Sequence, residues 1–96
     1  MSEVTLDAIH AALFQINPKI RRTEVHESSS LIDDLRLDSV RFVELTFALE
    51  DTFELDAFPM DEWAASEMAR ADKRFTVASL ADCLRALLQK QGRSSD

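Results

Sequence analysis

Ninety-six residues make one small domain, with room for a single hydrophobic core and none for a second domain with its own cleft. One glycine and two prolines beside plentiful Ala, Leu, Glu, Asp and Arg favour helices over a sheet, so the chain reads as all-α. Its formal net charge of −7 is repelled by phosphate backbones and anionic lipid surfaces, which sets nucleic acid aside as a partner.

The first predicted element is a helix over residues 5–16. Leu6, Ile9, Leu13 and Ile16 fall at helical spacing, Thr5 suits the N-cap, and Asp7 sits in the first turn, where the helix dipole favours negative charge. Pro18 pushes Asn17 out of the α region and should end the helix near Ile16. Residues 17–38 sustain no period. Ile20, Val25, Leu31, Ile32, Leu35 and Leu37 are expected to pin this long connection over the core, with a short helical turn over 31–35. The Ser28, Ser29, Ser30 run should be its most mobile stretch.

A second helix is predicted over residues 39–53, which hold no Gly or Pro; at about 1.5 Å per residue it spans roughly 22 Å. It carries two apolar stripes. Phe42, Leu45, Leu49 and Phe53 should face the core, whereas Val40, Val43 and Phe47 form a second face that is either buried or left in part for a partner. After a short acidic connection Pro59 opens a third helix, with Met60, Ala64, Met68, Ala71 and Phe75 forming one stripe and Trp63 half exposed at its edge. A break is expected at Asp72, Lys73 and Arg74. Thr76 then caps a last helix that turns Val77, Leu80, Leu84 and Leu87 or Leu88 inward. Residues 1–90 thus form one domain, and residues 91–96, with Gly92, a frayed polar tail.

Charge is unevenly spread along these elements. Between residues 33 and 62 there are ten acidic residues and two basic ones, net −8, and the rest of the chain nets +1. The excess negative charge of the middle third either steers a basic partner or serves as a solvated, solubilising face.

Asp38, Ser39 and Val40 open the second helix, with Val43, Glu44, Leu45, Ala48, Leu49, Glu50 and Phe53 following in register, and Thr76, Val77, Leu80 and Leu84 open the last. In these residues the chain resembles the acyl carrier protein family, whose attachment motif is Asp-Ser-Leu at the start of its second helix. Val40 replaces the Leu. The likeness runs from about residue 31 to about residue 88, with a compatible first helix before it. Three departures stand out: Arg36 where a Gly is common, Arg41 where many members carry an acidic or polar residue, and a segment over 60–75 longer than in compact members.

The resemblance implies an acyl-carrier-like bundle of four helices, three long and a short or extended third, with a long loop between the first two. It implies 4'-phosphopantetheine, taken from coenzyme A and attached to Ser39, whose terminal thiol carries acyl or polyketide intermediates as thioesters. Asp38 would help a phosphopantetheinyl transferase engage, beside or instead of capping the same helix, and Val40, Arg41, Glu44, Phe47 and Glu50 would dock acyl-loading, condensing or modifying enzymes through their basic patches. Such a protein is a monomer and not an enzyme. A serine of this kind needs an exposed hydroxyl rather than a base, and a helix start adds free N–H groups and positive potential that suit a phosphodiester. Ser39 as a plain N-cap is the alternative, but Phe42 stands where a capping box would place Glu or Gln.

Arg41 beside the attachment site points to a specialised biosynthetic pathway. Carriage for primary fatty-acid synthesis, or of aminoacyl or peptidyl groups, is the alternative within the family. An unmodified acidic helical adaptor for a basic protein is the alternative outside it. His10 and His26 have no neighbours that make a catalytic pair and read as surface residues. Asp33, Asp34 and Asp38 lack the glycine and alternating oxygen ligands of a calcium loop, so no metal is expected. Cys83 has no partner cysteine and falls beside Leu80 and Leu87, as a small buried thiol in a reducing compartment would. With no basic, apolar leader and no run of about 18 apolar residues, the expected location is the cytoplasm, without a membrane span.

Overall fold

The computed structural model describes residues 4–71 and 74–94. Helices α1 (Leu6–Ile16), α2 (Ser39–Thr52), α3 (Met60–Met68) and α4 (Val77–Ser94) follow one another, with one turn of 3-10 helix at Arg22–Glu24 in the long first connection. The only β pairing among the described residues is a lone bridge between Ser30 and Thr76. The chain is therefore the small all-helical bundle expected of its composition.

Local chemistry sets the helix ends. Thr5 Oγ1 accepts from the Ala8 N–H at 3.1 Å, and Asn17 leaves the helix in an extended conformation ahead of Pro18. At α2 the cap is Asp38, whose carboxylate accepts from the Arg41 N–H at 2.9 Å, so Ser39 is the first helical residue. Thr76 caps α4 by accepting from the Ser79 N–H at 3.2 Å.

Ile9 and Leu13 of α1, Leu45 and Leu49 of α2, and Leu80 and Leu84 of α4 are fully buried and meet in one core. Each such side chain contributes about 1.5–3 kcal/mol relative to exposure. The last turn of α1 is held between the two ends of α2: Arg41 donates to the Ile16 carbonyl oxygen, and Gln15 donates to Thr52 Oγ1 at 3.1 Å.

The long connection is fixed rather than loose. Ile20, Val25, Leu31, Leu35 and Leu37 are buried as expected, but Ile32 is exposed. Residues 31–35 form a hydrogen-bonded turn in which the Asp34 and Leu35 N–H groups both donate to the Ser30 carbonyl oxygen. Leu31 and Leu35, four apart, share its inner side, which leaves Ile32 outside. Nor is the serine run loose throughout: Ser29 is buried, its hydroxyl donating to the Glu24 carbonyl oxygen and accepting from the His26 N–H. Its own carbonyl oxygen takes the Val77 N–H at 2.9 Å, while the Leu31 N–H donates to the Phe75 carbonyl oxygen at 2.8 Å.

α3 corrects the sequence reading most. The periodic residues Met60 and Ala64 are half-buried, Met68 and Ala71 are exposed, and the face turned inward carries Trp63 and Glu67. Trp63 is thus buried, edge-on to Phe58 (6.5 Å between centroids) and Phe75 (5.5 Å). Glu67, only 2 % exposed, is tolerated there because its carboxylate accepts from the Phe75 N–H at 2.6 Å and from Ser79 Oγ at 2.7 Å, with Arg70 at 3.5 Å. Helix α3 ends at Met68, ahead of the expected break, of which residues 72 and 73 lie outside the described residues. Helix α4 continues through Gly92 to Ser94, into the expected tail; residues 95 and 96 lie outside the described residues.

Candidate functional site

Ser39 sits at the first position of α2 because Asp38, not the serine, takes the cap. Its side chain is exposed and its hydroxyl has no hydrogen-bond partner among the described residues. The Ser39 and Val40 N–H groups lie in the first turn, where no intrahelical acceptor exists. A reactive group brought to this hydroxyl meets two free donors and the positive end of a fourteen-residue helix.

Ser39 borders an open apolar groove of about 650 Å³ between α2 and α3. Phe42, Val43 and Phe47 form its α2 wall, and Met60, Ala64 and Met68 its α3 wall. Phe58 and Phe75, both buried, lie at its floor, and Phe75 meets Phe42 edge-on at 5.8 Å. Val43, Phe47 and Met68 are 58, 65 and 61 % exposed, and Val40 beside Ser39 is 65 % exposed. These side chains give one side of a small acidic domain an exposed apolar surface.

The second stripe of α2 is therefore the exposed one, and Ser39, Val40 and Phe47 share that side of the molecule. The charged candidates part company from them. Arg41 bonds the Ile16 carbonyl oxygen and pairs with Glu44 at 2.9 Å. The Glu50 carboxylate accepts from the Phe58 N–H at 2.9 Å and holds the connection between α2 and α3. The acids that line the groove are instead Asp61 and Glu62, both exposed and without a partner among the described residues. Sequence reasoning missed these two, together with Phe58 and Phe75. The stripe Met60, Ala64, Met68 was the available signal, and it is a groove wall.

Two residues outside the groove need a changed reading or a fuller one. His10 is not a plain surface residue: its Nε2 lies 2.9 Å from the Ile20 carbonyl oxygen, which places the proton on that nitrogen, and its ring leans on Phe14 at 5.7 Å. It ties α1 to the long connection. Cys83 is partly buried, and its thiol is held above the usual range first by desolvation and then by the Glu67 charge. Among the described residues no group of three His, Cys, Asp or Glu side chains converges as metal ligands. No helix there is long and apolar enough to cross a membrane.

The fold and the site thus define a small helical bundle with a bare serine at a helix start beside an apolar groove. No family model matches the chain, and neither does any curated protein or solved structure.

Proposed function

We propose that this protein is an acyl carrier: 4'-phosphopantetheine is attached to Ser39, acyl or polyketide intermediates ride on it as thioesters, and the protein itself catalyses nothing. The observation that carries this reading is the exposed, unpartnered Ser39 hydroxyl at the first position of α2, at the rim of an apolar groove. The motif Asp38-Ser39-Val40 adds the family resemblance. A phosphopantetheinyl transferase would attach the arm through the Ser39 oxygen, with adenosine 3',5'-bisphosphate leaving coenzyme A.

The residues present suit the arm. Asp38 fixes the start of α2 and so the position of the hydroxyl, and the free Ser39 and Val40 N–H groups suit a phosphodiester. When bound, the arm supplies the thiol on which the thioester forms. Apolar parts of a cargo fit the phenylalanine- and methionine-lined groove, and Val40, Val43 and Phe47 offer a face to partner enzymes. Asp61 and Glu62 supply the acidic rim that meets a partner's basic patch. A specialised pathway, rather than primary fatty-acid synthesis, rests on the sequence departures alone, and the engagement of Arg41 by the Ile16 carbonyl oxygen and Glu44 weakens its share in that reading.

Incubation with coenzyme A, magnesium and a broad-specificity transferase tests the proposal. Wild type is expected to gain one phosphopantetheine by intact mass, and Ser39→Ala none. A wild type that is never modified would leave an acidic helical adaptor, docking through the same apolar face, as the better account.

A further inference from the structure

We propose that Glu67 is the positioning residue of the groove: from behind, its buried carboxylate latches α3 to the start of α4 and fixes Phe75 as the groove floor. The inference rests on reading the groove as the seat of an apolar group. Helix α3 has nine residues and no side-chain cap at its start, too little to hold a position by itself. Its two faces divide the work. Met60, Ala64 and Met68 line the groove, while Trp63 and Glu67, one helical turn apart, point at α4.

Glu67 lines no part of the groove, yet it reaches both of its adjustable parts. Ser79 Oγ donates to the Glu67 carboxylate at 2.7 Å and accepts from Trp63 Nε1 at 3.3 Å, joining the α3 wall to α4 at two points. The Phe75 N–H donates to the same carboxylate at 2.6 Å. Phe75 has φ 56°, a left-handed conformation that a bulky side chain avoids unless its surroundings hold it there. A charged acceptor on its N–H is such a hold, and it sets the ring between Phe42 (5.8 Å) and Trp63 (5.5 Å). Without the latch, Phe75 relaxes toward an ordinary conformation and α3 loses its seat. The size of the apolar group that the groove admits is therefore governed by a residue that never touches it.

Glu67→Ala and Ser79→Ala are compared with Glu67→Gln, which keeps an acceptor for the Phe75 N–H. One readout is hydrogen exchange at the Phe75 amide; the other is titration with the neutral fluorophore N-phenyl-1-naphthylamine. In Glu67→Ala the exchange should quicken by about tenfold or more and the probe bind about fivefold or more weakly, with Glu67→Gln within about twofold of wild type in both. If circular dichroism shows Glu67→Ala unfolded, Ser79→Ala decides: it should weaken the probe while leaving the Phe75 amide protected. Folded alanine variants with wild-type exchange and wild-type probe binding overturn the latch. Faster exchange with unchanged probe binding also overturns it, since the groove would then not depend on Glu67. A wild type that takes up no probe contradicts the groove reading itself, and the exchange readout separates that failure from a failed latch.

Discussion

The Arg41 guanidinium at the start of α2 donates to the carbonyl oxygen of Ile16, the last residue of α1, at 2.5 Å. That carbonyl is one of the orphan acceptors of a helix end, and α1 has no basic residue of its own in its last turn. Arg41 supplies the missing positive charge from another helix. Arg41→Met should therefore lower the unfolding free energy by about 1 kcal/mol, discounted for partial exposure, whereas Glu44→Gln should cost only a few tenths. Urea denaturation of the two variants checks this; equal, negligible losses would return Arg41 to the docking surface.

Electrostatic docking should depend on the α3 acids more than on the α2 glutamates first expected to carry it. Reversing Asp61 or Glu62 to Lys is expected to slow transfer to Ser39 through association, with the penalty fading as salt shortens the Debye length below about 8 Å. Glu50→Lys should act differently, lowering stability by about 1–3 kcal/mol through the lost bond to the Phe58 N–H. Transfer rates at several ionic strengths, beside melting curves, separate the two effects.

Arg36 has φ 59°, the left-handed region that favours glycine. That conformation disfavours any side chain with a Cβ by about 1–2 kcal/mol, while glycine loses about 0.5–1 kcal/mol of chain entropy on folding. Arg36→Gly should thus be neutral to stabilising by up to about 1 kcal/mol. A clear loss of stability would mean that the Arg36 side chain makes a contact that matters.

The Cys83 thiol, raised by desolvation and by Glu67, should react with iodoacetamide at pH 8 more slowly than an unhindered thiol. Its linkage to folding has a definite sign. Above the ordinary value of 9.0 the unfolded chain loses this proton before the folded one, so stability falls as pH rises from there. Cys83→Ala should flatten that alkaline slope.

Helix ends and the two stripes of α2 were legible because they depend on near neighbours: Thr5 and Thr76 as caps, Pro18 as a stop, residues three and four apart as faces. The division of α3 was not. Glu67 looks like a surface residue in sequence, and its burial depends on Phe75 and Ser79, eight and twelve positions away. The same holds for the serine run, where the Ser29 carbonyl oxygen is held by the Val77 N–H from beyond the intervening helices. Ser39 could be picked out from its motif, but that Asp38 takes the cap and leaves its hydroxyl bare is a matter of geometry.

Locating the phosphopantetheine after transferase treatment tests the central claim most directly. Arg36 and Arg41 flank the motif, so trypsin releases residues 37–41 as one short peptide, apart from Ser28, Ser29 and Ser30 in the peptide before it. Fragment mass spectrometry should find the arm on Ser39 of peptide 37–41 and on no other residue. An arm on another serine, or no arm after complete treatment, would contradict the carrier function proposed for this chain.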